Sequence, residues 1–148
     1  MTPSLPDILR GFAVALNTPL PPEALGDYTA GRAGILTLLA LLAAQEAERG
    51  IAARLWENGA IRSLFSAAAV SAYDGALGGR LATAVSGADD EASWTALDLA
   101  NADLRRLLIA LHEAVEDQRD GALNREILAL YARMAKARRL ELPGAMGG

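Results

Sequence analysis

The chain has one histidine, His112, which is its side chain best suited to acid–base chemistry. Glu116 follows four residues later, so on a helix its carboxylate would lie one turn away and could orient the imidazole as a general base. A local ion pair is the favoured interpretation, because i, i+4 charge pairs are common on helices. A ferritin-like di-metal site needs a Glu-x-x-His motif on each of two helices, and Ile109 stands where that glutamate would be.

No motif presents a nucleophile or a phosphate-binding loop. The chain has no cysteine, which removes thiolate nucleophiles, disulfides and cysteine zinc sites together. No Gly-x-Ser-x-Gly elbow presents a serine to His112. The segment Gly75–Arg80 could offer amides and an arginine to an anion, but it lacks the preceding strand and the Gly-Lys-Ser/Thr ending of a P-loop. We predict a turn there and no cofactor, and an enzyme is the least favoured functional class.

Six carboxylates near the ends of long helical segments are a further candidate group. They could converge on a hard cation if two helical hairpins faced each other. Exposed surface carboxylates are the favoured interpretation, because acidic side chains are mostly exposed. The six residues are Glu46, Glu48, Glu57, Glu113, Glu116 and Asp117.

Asn101 and Trp94 carry polar groups within an otherwise apolar helical stripe. A polar residue in such a stripe can fix the register of two helices, or it can orient a ligand in an apolar pocket. The register interpretation is favoured for Asn101, because pockets are few in any protein. Trp94, Asn101, His112 and Glu116 are therefore the candidate contacts to a ligand or a partner, and no catalytic, cofactor or metal residue is predicted.

Helices must position all of these residues. The chain has 32 alanines and 25 leucines against six isoleucines and four valines. Alanine and leucine favour helices, whereas β-branched residues favour strands, and no stretch alternates with the period of a strand. The sequence predicts an all-α fold, a compact bundle of about five to six helices built from two long helical hairpins around a central apolar helix.

Periodicity and capping signals place these helices along the chain. We expect one domain over residues 1–142, followed by a flexible tail over residues 143–148. A serine cap opens the first helix, the second has a break or kink at Gly50 and a stop at Asn58–Gly59, and Asp89 or Asp90 caps the long helix that follows. The predicted helices span about residues 5–16, 30–49 with a continuation over 52–57, 60–73, 90–117 and 123–140, and short helical turns are expected at residues 22–25 and 80–85.

The net charge of −4 disfavours binding to nucleic acid or to anionic membranes. The one basic cluster lies at the end of the last predicted helix, where the helix dipole favours cations. No apolar run reaches the roughly 18 residues of a membrane span, and no secretory signal opens the chain. We expect a cytoplasmic protein without nucleic-acid or membrane partners. The cluster comprises Arg133, Lys136, Arg138 and Arg139.

The segment Ile35–Ala44 is apolar on every face, so its own domain or a second subunit must cover most of it. This property favours a non-catalytic interaction module that self-associates, most simply as a homodimer, or that binds a protein partner. The excess of alanine over bulky residues leaves room for an inter-helical cavity. The alternative function is therefore the binding of a small apolar ligand.

Overall fold

The computed structural model describes residues 3–17, 27–67, 73 and 75–141, and these residues form helices and no strand. The predicted all-α bundle of about five to six helices is confirmed. The chain divides into two compact units, a first unit of residues 1–50 and 138–148 and a second unit of residues 51–137. The helices are α1 (Leu5–Asn17), α2 (Asp27–Ala67), α3 (Ala76–Val85), α4 (Trp94–Gln118) and α5 (Gly121–Ala137).

In the first unit, α1 begins with the predicted serine cap. The amide of Asp7 donates to Oγ of Ser4 at 3.4 Å, and the Ser4 hydroxyl donates to the Asp7 carboxylate at 2.7 Å. The Ser4 hydroxyl therefore caps the first turn of α1. A Cβ at Gly11 would lie 3.9 Å from Cδ1 of Leu39, so α1 packs closely on the N-terminal half of α2. The proline-rich connector and the predicted tail lie outside the described residues.

Gln45 holds the end of the described chain against α2 in the first unit. Its Nε2 donates to the carbonyl oxygen of Glu141 at 2.8 Å, and its Oε1 accepts from the Glu141 amide at 2.8 Å. Arg49, one turn later, donates to the same Oε1 at 2.6 Å. One side-chain amide therefore satisfies both backbone groups of a residue 96 positions away.

The apolar segment Ile35–Ala44 lies in the N-terminal half of α2, within the first unit. Five of its ten residues are half-buried, five are exposed, and none is buried. Ile35 keeps 57% of its surface exposed and Leu41 keeps 40%. No helix in the described parts of the chain is both long and apolar enough to cross a membrane.

The core of the second unit forms around α4 rather than around the apolar segment. Leucines on one stripe of α4 pack against α5 on one side and against α3 and the C-terminal half of α2 on the others. Leucine spacing predicts one apolar stripe on α4, from Trp94 to Val115, and one on α5, from Leu123 to Ala137. All predicted stripe positions are buried except Trp94, which is half-buried, and Ala137, which is exposed. The buried core residues of these two helices are Leu97, Leu104, Leu107, Leu108, Leu111, Val115, Leu123, Ile127, Leu130 and Met134.

Helix α4 begins at Trp94, because Oγ of Ser93 accepts a hydrogen bond from the amide of Ala96 at 3.2 Å. The prediction that Asp89 or Asp90 caps this helix is wrong. Asp90 accepts instead from an amide two residues later, in the preceding turn. Asp89 is engaged by an arginine of α2, so a tertiary ion pair takes a residue that the local pattern assigned to a cap.

The connection between α4 and α5 is a two-residue turn. Arg119 has a left-handed backbone conformation with φ of 56° and ends α4. The carboxylate of Asp120 accepts hydrogen bonds from the amides of Ala122 and Leu123, each at 3.1 Å, and so caps α5. Helix α5 therefore starts two residues before the predicted position.

Helix α2 continues through Gly50 to Ala67, so the helix does not break at Gly50 and the predicted end at Asn58–Gly59 is wrong. Asparagine and glycine favour helix ends only weakly, and tertiary contacts override that preference here. Ile61 and Phe65 are fully buried and extend the core stripe of α2 beyond the glycine. The side chain of Asn58 is bound by neighbouring helices rather than by its own backbone.

Replacing Gly59 with alanine is expected to raise the free energy of unfolding by about 0.5–1 kcal/mol, since glycine inside a helix costs roughly that much relative to alanine. An added Cβ meets no atom within 4 Å. Gly75→Ala is the contrasting variant: Gly75 has φ of 80°, so alanine is strained there and stability should fall. Urea denaturation measures both. A destabilised Gly59→Ala protein would instead indicate a helix end at this position.

Candidate functional site

Polar side chains continue the core stripe of α2 toward its N-terminal end. Glu57 and Asn58 precede Ile61 by four and three residues, and Arg54 precedes it by seven, so all three lie on the buried face. Arg54 is 2% exposed, and Glu57 and Asn58 are fully buried. Buried groups of this kind must be hydrogen-bonded or paired, because their removal from water is otherwise unfavourable.

Asn101 of α4 binds two of these residues at once. Its Nδ2 donates to Oε2 of Glu57 at 3.0 Å and to Oδ1 of Asn58 at 2.8 Å. A side-chain amide has two hydrogens to donate, so α2 accepts both of them. Asn101 is 2% exposed, and these bonds join the middle of α4 to α2 within the second unit.

The network extends from Asn58 to the loop before α4. Nδ2 of Asn58 donates to Oδ1 of Asp89 at 2.9 Å. Arg62 binds both oxygens of the same carboxylate through Nη1 and Nη2, each at 2.8 Å, and its Nε donates to the carbonyl oxygen of Ala84 at 3.2 Å. The α3–α4 loop and the end of α3 are therefore tied to α2 by a bidentate, charge-assisted contact.

The electrostatics of this pair follow from its geometry. Hydrogen bonds from Arg62 hold the pKa of Asp89 below its ordinary value of 3.8; burial opposes this effect and the bond from Asn58 adds to it. The same hydrogen bond raises the pKa of Arg62, again against the effect of burial. Both side chains are therefore charged across the whole physiological pH range.

Arg54 and Trp94 form the second part of the network. Nε of Arg54 donates to Oδ1 of Asp98 at 2.6 Å, and its Cζ lies 4.5 Å from the centroid of the Trp94 ring. A cation–π contact of this geometry contributes about 0.5–2 kcal/mol. Among the described residues, Nε1 of Trp94 is a buried donor without an acceptor. Trp94 therefore acts here through the face of its ring.

His112 lies at the opposite end of α4 and faces α5. Its Nε2 is 2.9 Å from Oδ1 of Asn124 and 3.7 Å from the nearer oxygen of Glu116, and Tyr131 lies edge-on to the ring. An amide oxygen only accepts, so Nε2 carries the hydrogen. The nitrogen that faces Glu116 is thus a donor engaged in the α4–α5 contact rather than a free base.

The four residues predicted as contacts fall into two groups. Trp94 and Asn101 belong to the network with α2, whereas His112 and Glu116 belong to the contact with α5. Asn101 and His112 are eleven residues apart, or roughly 16 Å along the helix axis. Within the described residues no three carboxylate or histidine side chains converge as metal ligands would.

The sequence pattern does not single out Arg54, Asn58, Arg62 or Asp89 as functional residues. A signal was present: Arg54, Glu57 and Asn58 occupy core-stripe positions ahead of Ile61, as Asn101 does between leucines of α4. Polar residues at apolar positions on two helices indicate that these helices pair through those residues.

The second unit also has an open groove of about 400 Å³ between α3 and α4. Arg62 forms one wall, beside the backbone of the α3–α4 loop. Arg80 of α3 and Arg106 of α4 flank the opening, and leucines of α4 form its apolar floor. The glycines of the segment predicted as a turn, Gly78 and Gly79, lie inside α3, which begins at Ala76, so Arg80 reaches the groove from a helix. The full lining is Arg62, Arg80, Ala84, Gly87, Ala100, Asp103, Leu104, Arg106 and Leu107.

Comparisons of the chain with protein-family models, with curated proteins and with solved structures found no match. Three features of this chain bear on its function: the buried polar network, the arginine-lined groove and the partly exposed apolar segment of α2.

Asn101→Ala is expected to lower the free energy of unfolding by about 1–3 kcal/mol, because two buried hydrogen bonds, to Glu57 and to Asn58, are lost. Asn124→Ala is the matched control: its partner His112 is partly exposed and can bind water instead, so the loss should be smaller. Chemical denaturation of both variants measures the difference. An Asn101→Ala protein as stable as Asn124→Ala would contradict the assignment of the network as the α2–α4 constraint.

The stability that Asp89 contributes should depend on pH. Folding lowers its pKa below 3.8, so its contribution is fully present above that value and is lost as the pH falls through the folded-state pKa. The free energy difference between the natural chain and Asp89→Asn should be largest at neutral pH and should shrink below pH 3.8. Urea denaturation across this range measures it; a difference independent of pH would refute the charged pair.

Proposed function

We propose that this chain is a non-catalytic helical interaction domain that self-associates through the apolar segment Ile35–Ala44. The observation that carries the proposal is the exposure of this segment: none of its ten residues is buried in the single chain. A helix that is apolar on every face is normally surrounded. A second copy of the chain would supply the missing cover.

The length of α2 supports this assignment. Its 41 residues span roughly 60 Å at 1.5 Å per residue, about twice the diameter of a small domain. One small core cannot cover such a helix along its whole length. The core of the second unit covers α2 around Ile61 and Phe65, and α1 contacts the N-terminal half near Leu39.

The exposed face of the segment has the spacing of a coiled-coil seam. Residues on this face recur at intervals of three, four, three and four, and every one of them is exposed. Most are small, so two helices could approach closely. The residues of this exposed seam are Gly34, Thr37, Leu41, Ala44 and Glu48.

The seam is complementary to itself, which favours a second copy over an unrelated partner. In an antiparallel pair related by a two-fold axis, Leu41 of each chain would face Ala44 of the second copy, so each large side chain meets a small one. Thr37 would face Glu48 of the second copy, so polar residues would meet at each end of the apolar contact. Such reciprocal contacts are what an isologous dimer requires.

The contacts of the second unit support a non-catalytic role. Asn101 gives both amide hydrogens to α2, Arg62 gives its donors to Asp89 and Ala84, and Nε2 of His112 donates to Asn124. These groups bind one another and stabilise the packing of helices. General acid–base catalysis would instead require a group positioned to exchange a proton with a substrate.

Leu41→Glu is expected to shift the chain from dimer to monomer, because a carboxylate at the centre of the seam would be buried without a partner. Leu128→Glu is the matched control: Leu128 is also an exposed leucine, on α5 of the second unit, and its replacement should leave the dimer unchanged. Sedimentation velocity over a concentration series measures both. A natural chain that stays monomeric at the highest soluble concentration would refute the proposal.

A compensating pair tests the antiparallel register. Leu41→Ala alone should weaken the dimer, and Leu41→Ala combined with Ala44→Leu should restore it, because the exchanged residues again place a large side chain against a small one. Circular dichroism confirms that each variant remains helical. A double variant no tighter than Leu41→Ala would exclude this register.

A further inference from the structure

The three arginines around the groove of the second unit differ in their availability. Arg62 is committed to Asp89 and to the carbonyl oxygen of Ala84. Arg106 is paired with Asp103, one turn earlier on the same helix. Arg80 is exposed at the opening, and within the described residues no hydrogen bond or ion pair engages its guanidinium.

The charges that line the groove leave an excess of one positive charge. Asp89 balances Arg62, and Asp103 balances Arg106. The remaining charge is that of Arg80 on α3, which lines the groove together with Arg106 of α4. A single uncompensated guanidinium matches a monoanion, and its planar array of donors suits a carboxylate in particular.

The groove is apolar below these charges. Leu104 and Leu107 are 6% exposed and line it, together with Ala84 and Ala100. Its volume of about 400 Å³ lies near the lower end of the roughly 300–1,000 Å³ range of small-molecule pockets. Its occupant should therefore be small, with an apolar body and one anionic end.

From this arrangement we infer that the groove binds a small organic carboxylate. Arg80 holds the carboxylate, and Arg106 of α4 assists. The apolar part of the ligand lies against Leu104 and Leu107. The wall built by Arg62 does not move on binding, because Asp89 and Ala84 already fix that side chain.

This binding activity is separate from self-association. The groove belongs to the second unit, and the exposed seam belongs to the first unit. The variant Leu41→Glu should therefore bind the carboxylate as the natural chain does. A natural chain that binds the carboxylate but stays monomeric would refute self-association alone. A chain that dimerises but does not bind the carboxylate would refute the binding inference alone.

Isothermal titration calorimetry with octanoate, octanamide and acetate tests the chemistry of the ligand. Octanoate should bind saturably with one site per chain. Octanamide lacks the charge and acetate lacks the apolar body, so each should bind at least tenfold more weakly. Equal binding of octanamide, or no saturable binding of octanoate to the natural chain, would overturn the inference.

Substitutions at exposed positions test the residues. Arg80→Gln should weaken octanoate binding by about tenfold or more, the scale of one charge-assisted hydrogen bond. Asp103→Asn should strengthen binding, because it removes a negative charge and releases Arg106. Arg125→Gln, an exposed arginine of α5 outside the groove, is the matched control and should leave binding unchanged.

Ala100→Leu tests the groove without changing charge, since the larger side chain would occupy the space of the ligand. Circular dichroism and urea denaturation establish that this variant folds. A folded Ala100→Leu protein should lose octanoate binding. Unchanged affinity in Arg80→Gln, or in folded Ala100→Leu, would refute binding at this groove.

Discussion

The amide of Asn101, buried between α2 and α4, is the constraint on which the second unit depends. Both of its hydrogens are bound by α2, so a slide or a rotation of α4 would break the hydrogen bonds to Glu57 and Asn58 together. A buried polar group that loses its hydrogen bond destabilises the fold by about 1–3 kcal/mol. This is a large part of the roughly 5–15 kcal/mol that stabilises a typical domain. Leucine packing has no such directionality, so the amide selects one register among several that the leucines would accept.

The remaining polar contacts form a chain that starts where α2 and α4 meet. Asn58 accepts from Asn101 and donates to Asp89. Asp89 binds Arg62, and Arg62 also donates to a backbone carbonyl oxygen at the end of α3. The loop before α4 therefore takes its position from α2 rather than from its own residues. Because Arg62 also forms a wall of the groove, the buried network fixes part of the shape of the groove, whereas Arg80, Asp103 and Arg106 line it as exposed side chains.

Hydrophobic periodicity is enough to predict the buried faces of helices that are set by the spacing of their own residues. The stripes of α4 and α5 follow from leucine spacing, and the buried position of Asn101 follows from its place between leucines. The role of Asp89 could not be predicted in this way: an acid before a helix is a capping signal, yet Arg62, 27 positions earlier, binds it. The predicted helix end at Gly59 is wrong for the same reason, because contacts of its neighbours with distant residues keep α2 helical. Long-range pairing is not encoded in spacing.

The turn at Arg119 and Asp120 has a consequence for the order in which the second unit folds. It brings α4 and α5 together with little loss of chain entropy, since the residues that meet, such as His112 and Asn124, are only 12 positions apart. Contacts from Asn101 to α2 span 43 and 44 positions and close a far longer loop. Such topology favours early formation of the α4–α5 hairpin, on which α2 docks later. The hydrogen bonds of the buried Asn101 amide would then form late, and only when α2 is correctly aligned with α4.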